Sequence, residues 1–215
     1  MIDAQEIFHD YGRTSVLRGV TFRVEPGTFA ALVGPSGCGK STLLFLCGAM
    51  LRVQKGSLIV DGEHLAEVGT AARARFRSRC LGFVFQQFHL VPYLTVAENV
   101  RVAALAGARP GVGLVRDLLD SVGLATRSHC RPEHLSVGER QRCALARALY
   151  GQPRLILADE PTGNLDPDNA AVVLRTLSDF SRAGGTVLMV THDPRAAAMA
   201  DVRLRLSDGR IREEG

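Results

Sequence analysis

The chain is poor in lysine. Of its 26 cationic residues only Lys40 and Lys55 are lysine, and all the others are arginine. It also lacks any apolar run near the roughly 20 residues that span a bilayer; residues 43–51, LLFLCGAML, are far too short. A membrane-embedded protein is therefore not expected. No CxxC pair occurs among Cys38, Cys47, Cys80, Cys130 and Cys143, which argues against a zinc site. An odd set of cysteines reads as free thiols in a reducing compartment. Residues 2–11 are acidic and polar, unlike a signal peptide, so the expected place of the protein is the cytosol. No coiled coil, repeat or concentrated basic stripe is present. A net charge of +4 and a pI near 9.0 do not by themselves imply nucleic acid.

What is present alternates between strand-like and helix-like segments. Residues 16–24 alternate as a strand does, and Glu25-Pro26-Gly27 is a turn signal. Residues 29–33, FAALV, form a short continuous apolar run that suits a buried strand. A helix is expected over 42–50. Further strands are expected at 57–61, 81–85, 155–158 and 186–190, with helices at 66–79 and 169–182. A last hairpin turns around Asp208-Gly209. Residues 94–150 read as mostly helical, broken at 106–113 and near Arg131-Pro132. The arginines at 73, 75, 77 and 79 read as a solvated helix face. The alternation predicts an α/β fold with a parallel sheet, and the helix-rich middle predicts an inserted helical subdomain.

Between the strand at 29–33 and the helix after it lies GPSGCGKST, residues 34–42. Gly34, Gly39, Lys40 and Ser41 have the full spacing of a phosphate-binding loop, in the strand–loop–helix context that such a loop needs. Its backbone N–H groups can face phosphate oxygens, and the helix start adds partial positive charge. Lysine stands here because the tight loop takes a compact ammonium on a flexible stem and not a wide guanidinium fork. Ser41 and Thr42 follow, and the Ser41 hydroxyl suits Mg²⁺. Asp159 emerges at the end of the apolar run LILA as the second expected metal ligand. Glu160, next to it, is placed to act as general base.

Three further stretches carry a resemblance. LSVGERQR at 135–142 resembles the signature of ATP-binding cassettes. DEPTGNLD at 159–166 resembles their Walker B motif running into the D-loop. VTHD at 190–193 resembles their H-loop, and Gln86 stands where the family has its Q-loop glutamine. All occur in the family's order over essentially the whole chain, which is thus identified as similar to the nucleotide-binding domain of an ABC transporter. DEPTGNLD and GFVFQQFHLVPYLTVAENV look most like the lipoprotein-release, macrolide-export and cell-division group.

The resemblance implies a RecA-like parallel-sheet core and an N-terminal antiparallel β subdomain, built from about residues 1–87 and 151–215. It implies a helical signature subdomain over about 88–150. The implied activity is hydrolysis of ATP with Mg²⁺. ATP would be held by Gly34, Pro35, Ser36, Gly37, Cys38, Gly39, Lys40, Ser41, Thr42 and Gln86, with Tyr11 stacked on adenine. Ser41, Gln86 and Asp159 would hold the metal, and Glu160, His192 and Lys40 would carry catalysis. The implied assembly is a head-to-tail homodimer. In it Ser136, Val137, Gly138 and Glu139 meet the partner's nucleotide, and Asp166 crosses the interface. A separate membrane permease would dock near residues 86–94 on the cytoplasmic face of the inner membrane. The alternative is a non-transporting ATPase that pulls on a membrane partner to control an extracytoplasmic enzyme. The sequence departs from the family at Val137, usually glycine, and a β-branched residue would be strained there if the site needs positive φ. Cys38 is expected to turn its side chain away from phosphate.

Overall fold

The computed structural model describes residues 1–103 and 114–214. Two sheets form the body. The first is antiparallel, in the order β2 (Thr14–Val24), β1 (Ile2–Tyr11), β4 (Lys55–Val60), β5 (Glu63–His64). The second has six strands in the order β10 (Arg210–Glu214), β9 (Val202–Ser207), β3 (Phe29–Val33), β8 (Thr186–Val190), β7 (Leu155–Asp159), β6 (Leu81–Val84). All its pairs are parallel except the terminal β9–β10 hairpin. Asp208 and Gly209 both adopt positive φ in the turn of that hairpin, the geometry that matches strand twist.

Seven helices complete the described structure. They are α1 (Lys40–Cys47), α2 (Thr70–Cys80), α3 (Val96–Arg101), α4 (Leu114–Ser121), α5 (Val137–Tyr150), α6 (Pro167–Arg182) and α7 (Pro194–Ala197). Apolar side chains collect in three clusters. One lies between the antiparallel sheet, α1 and one face of the parallel sheet, around Leu17, Leu43, Leu44 and Leu188. The second covers the other face, with Leu145 of α5 and Val173 and Leu177 of α6. The third joins α3, α4 and α5 through Val96, Val100, Leu119 and Cys143. Helix α5 faces both the second and the third cluster, so it links the helical middle to the sheet.

The fold corrects several boundaries. Residues 2–11 form a ten-residue strand that the sequence pattern hides. Its register slips between Ala4 and Ile7, where Glu6 sits at φ 50, so the two-residue period is broken. Helix α1 ends at Cys47, not at 50: Gly48 leaves helical geometry as its C-cap (φ −80, ψ 4), Ala49 follows at φ 52, and a Cβ at 48 would overlap the Phe83 ring. Helix α2 starts at Thr70, four residues later than its composition suggested. Pro132 opens a short 3₁₀ turn, Pro132–His134, at the expected break. The other expected break, 106–113, lies outside the described residues.

Candidate nucleotide site

Strand β3 delivers the glycine loop and α1 leaves it. Gly39 caps α1 in a left-handed conformation (φ 103), and a Cβ there would press on Val16 and Leu17 of β2. Gly34 (φ 152) passes so close to β9 that a Cβ would collide with the Leu206 carbonyl. These glycines let two sheets close on the loop. Lys40 is only 8% exposed, and its Nζ donates to the carbonyls of Gly34 (2.9 Å) and Pro35 (2.8 Å). The ammonium therefore braces the loop from inside. The Cys38 Sγ lies 4.0 Å from that ammonium and packs at the edge of the first core cluster.

The acids arrive on the neighbouring strand ends. Asp159 closes β7 and accepts a hydrogen bond from Ser41 Oγ at 3.0 Å. Burial pushes its carboxyl pKa up, with the Ser41 bond opposing and the Glu160 charge adding to the rise. Glu160 has φ 47, a strained conformation for a non-glycine residue. Its N–H donates to the Val190 carbonyl (2.9 Å), tying the ends of β7 and β8 together. Just past β8, His192 places Nδ1 2.8 Å from Glu160 Oε1, and its backbone N–H donates to Oε2 at 3.4 Å. Gln86 follows β6, with Nε2 next to Gly163 of the 159–166 segment. Strands β6, β7 and β8 are adjacent, so Gln86, Asp159, Glu160 and His192 share one edge of the sheet. This arrangement can cradle a polyphosphate, supply hard oxygens to a cation, and present a carboxylate oriented by an imidazole.

Helix α5 begins at Val137, after the expected break near Arg131-Pro132. Ser136 is its N-cap and Glu139 closes a capping box: Ser136 Oγ accepts from Glu139 N (3.1 Å), and Glu139 Oε2 accepts from Ser136 N (2.8 Å). Arg127 Nε donates to the other Glu139 oxygen at 3.1 Å. The Ser136 bond, with burial opposing and Arg127 assisting, holds the Glu139 carboxyl below its usual range. Val137 is the first helical residue, has no positive φ and is 45% exposed, so the strain considered for it does not arise. Gly138 stands against Asn169 of α6. Asp166 caps α6 by accepting from Asn169 N at 2.9 Å. Tyr11 ends β1 and is exposed, edge-on to His9 with ring centroids 4.9 Å apart. Its hairpin partner strand β2 is the one that presses on Gly39.

Two supporting residues, Gln141 in LSVGERQR and Asn99 in the stretch ending TVAENV, are given no role by the sequence. Gln141, 1% exposed, donates from Nε2 to the Pro161 carbonyl (2.8 Å) and so ties α5 to the segment after Glu160. Buried Asn99 holds residues 91–95 through bonds with Val91 N, Val91 O, Leu94 O and Thr95 O. Those stretches mark where such residues lie, but their roles depend on burial and distant partners, which a sequence does not display.

A braced glycine loop between β3 and α1, an acid at the end of β7, and a capped helix set beside them define a P-loop nucleoside triphosphatase of the ATP-binding-cassette type. The sequence profile of the ABC transporter family matches residues 17–163, and the chain belongs to that family: it is an ATPase domain of an ABC transporter. It is 45% identical over 216 residues to the lipoprotein-releasing system ATP-binding protein LolD 1 of Caulobacter vibrioides, covering 96% of this chain and 91% of that protein. A dimeric post-hydrolysis state of the ATP-binding cassette MJ0796 bound to ADP and Pi superposes with a TM-score of 0.91 at 31% identity, covering 100% of this chain and 98% of that one. A second dimeric MJ0796 structure, described as a bacterial ABC transporter cassette, gives a TM-score of 0.90 at 32% identity with the same coverage.

Proposed function

We propose that this chain is the ATP-hydrolysing subunit of a lipoprotein-releasing ABC complex, coupling ATP-driven dimer closure to a separate membrane permease. The observation that carries the catalytic part is the Glu160–His192 pair on adjacent strand ends beside the glycine loop. In this reading the loop residues 34–42 and Gln86 hold the phosphates, and Tyr11 stacks on adenine. Lys40 exchanges its two carbonyl acceptors for phosphate oxygens. Glu160, held by His192, takes a proton from the attacking water, and backbone N–H groups stabilise charge on the transferred phosphoryl.

Ser41 and Asp159 are oxygen donors already within hydrogen-bond distance, and with Gln86 they suit Mg²⁺. Among the described residues no cluster of three His, Cys, Asp or Glu could hold a metal alone. Such a cation would therefore share its coordination with the nucleotide's own oxygens, where it neutralises phosphate charge. The nucleotide would be sandwiched by a second copy, whose Ser136, Val137, Gly138 and Glu139 approach it while Asp166 lines the interface. Residues of about 1–87 and 151–215 act as the ATP-binding body in this scheme, and 88–150 as the helical arm.

The permease is proposed to dock on residues 86–94 and the adjoining groove of about 700 Å³, lined by Met50, Phe83, Phe85 and His89 with Arg75 and Arg147 at its rim. Arg147 donates to the carbonyls of Phe88 (2.8 Å) and His89 (2.6 Å), so the loop is presented from beneath, and Tyr93 stands fully out from it. Among the described residues no helix is long and apolar enough to cross a membrane. Attachment to the cytoplasmic face would then come through the permease. The name of the 45% identical relative favours release over the non-transporting regulator. The test is the solution mass of Glu160→Gln by light scattering with Mg-ATP. A dimer supports the closing ATPase, and a monomer that binds ATP removes the homodimer. Copurification with a lipoprotein-release permease tests the partner.

A further inference from the structure

Gly138 shares with Gly34 and Gly39 a lack of room for a Cβ but not their positive φ, so it has no need of left-handed freedom. A Cβ on it would instead collide with the side chain of Asn169, within 2.6 Å of Nδ2 and closer still to Cγ and Oδ1. Asn169 lies in the first turn of α6, and its amide is engaged: Nδ2 donates to Asp166 Oδ2 at 2.7 Å, while its backbone N–H donates to Asp166 Oδ1 at 2.9 Å. One residue thus abuts the N-terminal turn of α5 and holds both oxygens of the α6 cap, Oδ2 through its side chain and Oδ1 through its backbone. A turn further along α5, buried Gln141 bonds the Pro161 carbonyl and ties the same helix to the segment that leads into the α6 cap. The Gly138 contact is the part of this junction nearest the free N–H groups of α5.

We infer that Asn169 is a positioning residue that locks the start of α5 to the Asp166 carboxylate within one subunit, so that the two faces this subunit offers its partner move as one. The inference rests on the proposed ATP-closed dimer. Its physical content is geometric. The space that a Cβ would need at 138 is occupied by an amide that cannot retreat without giving up its bond to Asp166 Oδ2. A small displacement of α5, of the kind an anion at its N-terminus would resist or favour, is transmitted to Asp166 through one rigid, two-torsion side chain. Neither Gly138 nor Asn169 needs to touch the other's ligand for this to work.

The test is a double-mutant cycle in the full-length chain. Asn169→Ala leaves the backbone N–H that satisfies the α6 cap and removes all three atoms that a Cβ at 138 would strike. Gly138→Ala introduces that Cβ. Each single variant is expected to lower kcat for ATP hydrolysis about tenfold. Melting temperature and the affinity of the monomer for ATP stay at parent values. The double variant is expected to be no slower than Asn169→Ala alone, because the collision has gone. Asn169→Asp, of the same shape but carrying an acceptor against Asp166, is expected to be slower than Asn169→Ala. The same ranking should appear in the ATP concentration that half-saturates dimer formation of the Glu160→Gln forms. Losses that multiply in the double variant would show that Gly138 and Asn169 act independently and would overturn the inference. So would a wild-type kcat for Asn169→Ala, or a parallel fall in ATP binding and melting temperature. If Glu160→Gln with intact Gly138 and Asn169 stays monomeric in Mg-ATP, the dimer reading itself fails and the lock falls with it, a result recognisable because the parent behaves so.

Discussion

Lys40 and Glu160 show how much a single residue position costs to build. Lys40 is buried with its ammonium donating to two carbonyls, and an arginine in its place would carry a planar fork into space shaped for one nitrogen. Lys40→Arg is expected to lose ATP binding while the fold persists, as read by nucleotide titration and circular dichroism. Glu160→Gln keeps the shape but not the base, so kcat should fall by about 10²–10⁴-fold with ATP binding retained. Cys38 makes a third residue-level test. Burial pushes the Cys47 thiol up to about 12 and the Cys143 thiol up to about 11, which leaves them inert, whereas Cys38 is half-exposed beside the Lys40 ammonium. Alkylation should therefore inhibit ATPase activity through Cys38, with protection by ATP. Unchanged activity in a protein labelled at Cys38 would refute this.

At the scale of the element, α5 matters most, because it packs on both the sheet and the helices α3 and α4. Its start is secured by the Ser136–Glu139 box and by Arg127. Ser136→Ala should cost about 1 kcal/mol of stability, measured by denaturant unfolding. The pH response follows from two carboxyls. Glu139 and Asp166 both sit below their usual range because backbone N–H groups bond the ionised form, from Ser136 and Asn169 respectively. The folded state thus favours ionisation more than the unfolded chain does. Their stabilisation is complete above the unfolded values near pH 4 and disappears as pH falls through the depressed folded ones. Glu139→Gln should flatten that acid limb of the stability curve. Elements also show the limits of local reading. The capping box at Ser136 and the apolar runs of β3, β7 and β8 are visible as patterns. Strand β1 is not, since its bulge at Glu6 breaks the alternation and its pairing with both β2 and β4 is non-local.

For the whole molecule, the two sheets converge on one loop while the α5 arm stands beside it. That geometry leaves two faces, the groove under Arg75 and Arg147 and the face bearing Ser136 to Gly138. Reversing charge at Arg75, an exposed rim residue, is expected to weaken copurification with the permease and to leave the permease-free ATPase rate unchanged. If both fall together, the groove is part of the ATP site and not a docking surface.

The family, the α/β class, the loop, the two acids, His192 and the start of α5 were legible in the order of residues, because each depends on contiguous spacing or on a strand–loop–helix context. Spacing could also place Val137 at a doubtful position, but it could not show that the residue sits at ease in the first turn of a helix. Gly138 looked like one more phosphate-facing glycine. Its reason lies in Asn169, 31 positions away, and appears only when α6 packs against α5. The same holds for the Cys38 thiol beside Lys40, for Gln141 on Pro161 and for Asn99 under its loop. Chain-local free energies, such as caps, turns and strand propensities, leave their mark in neighbouring letters. Excluded volume and buried hydrogen bonds between distant segments leave none until the segments meet.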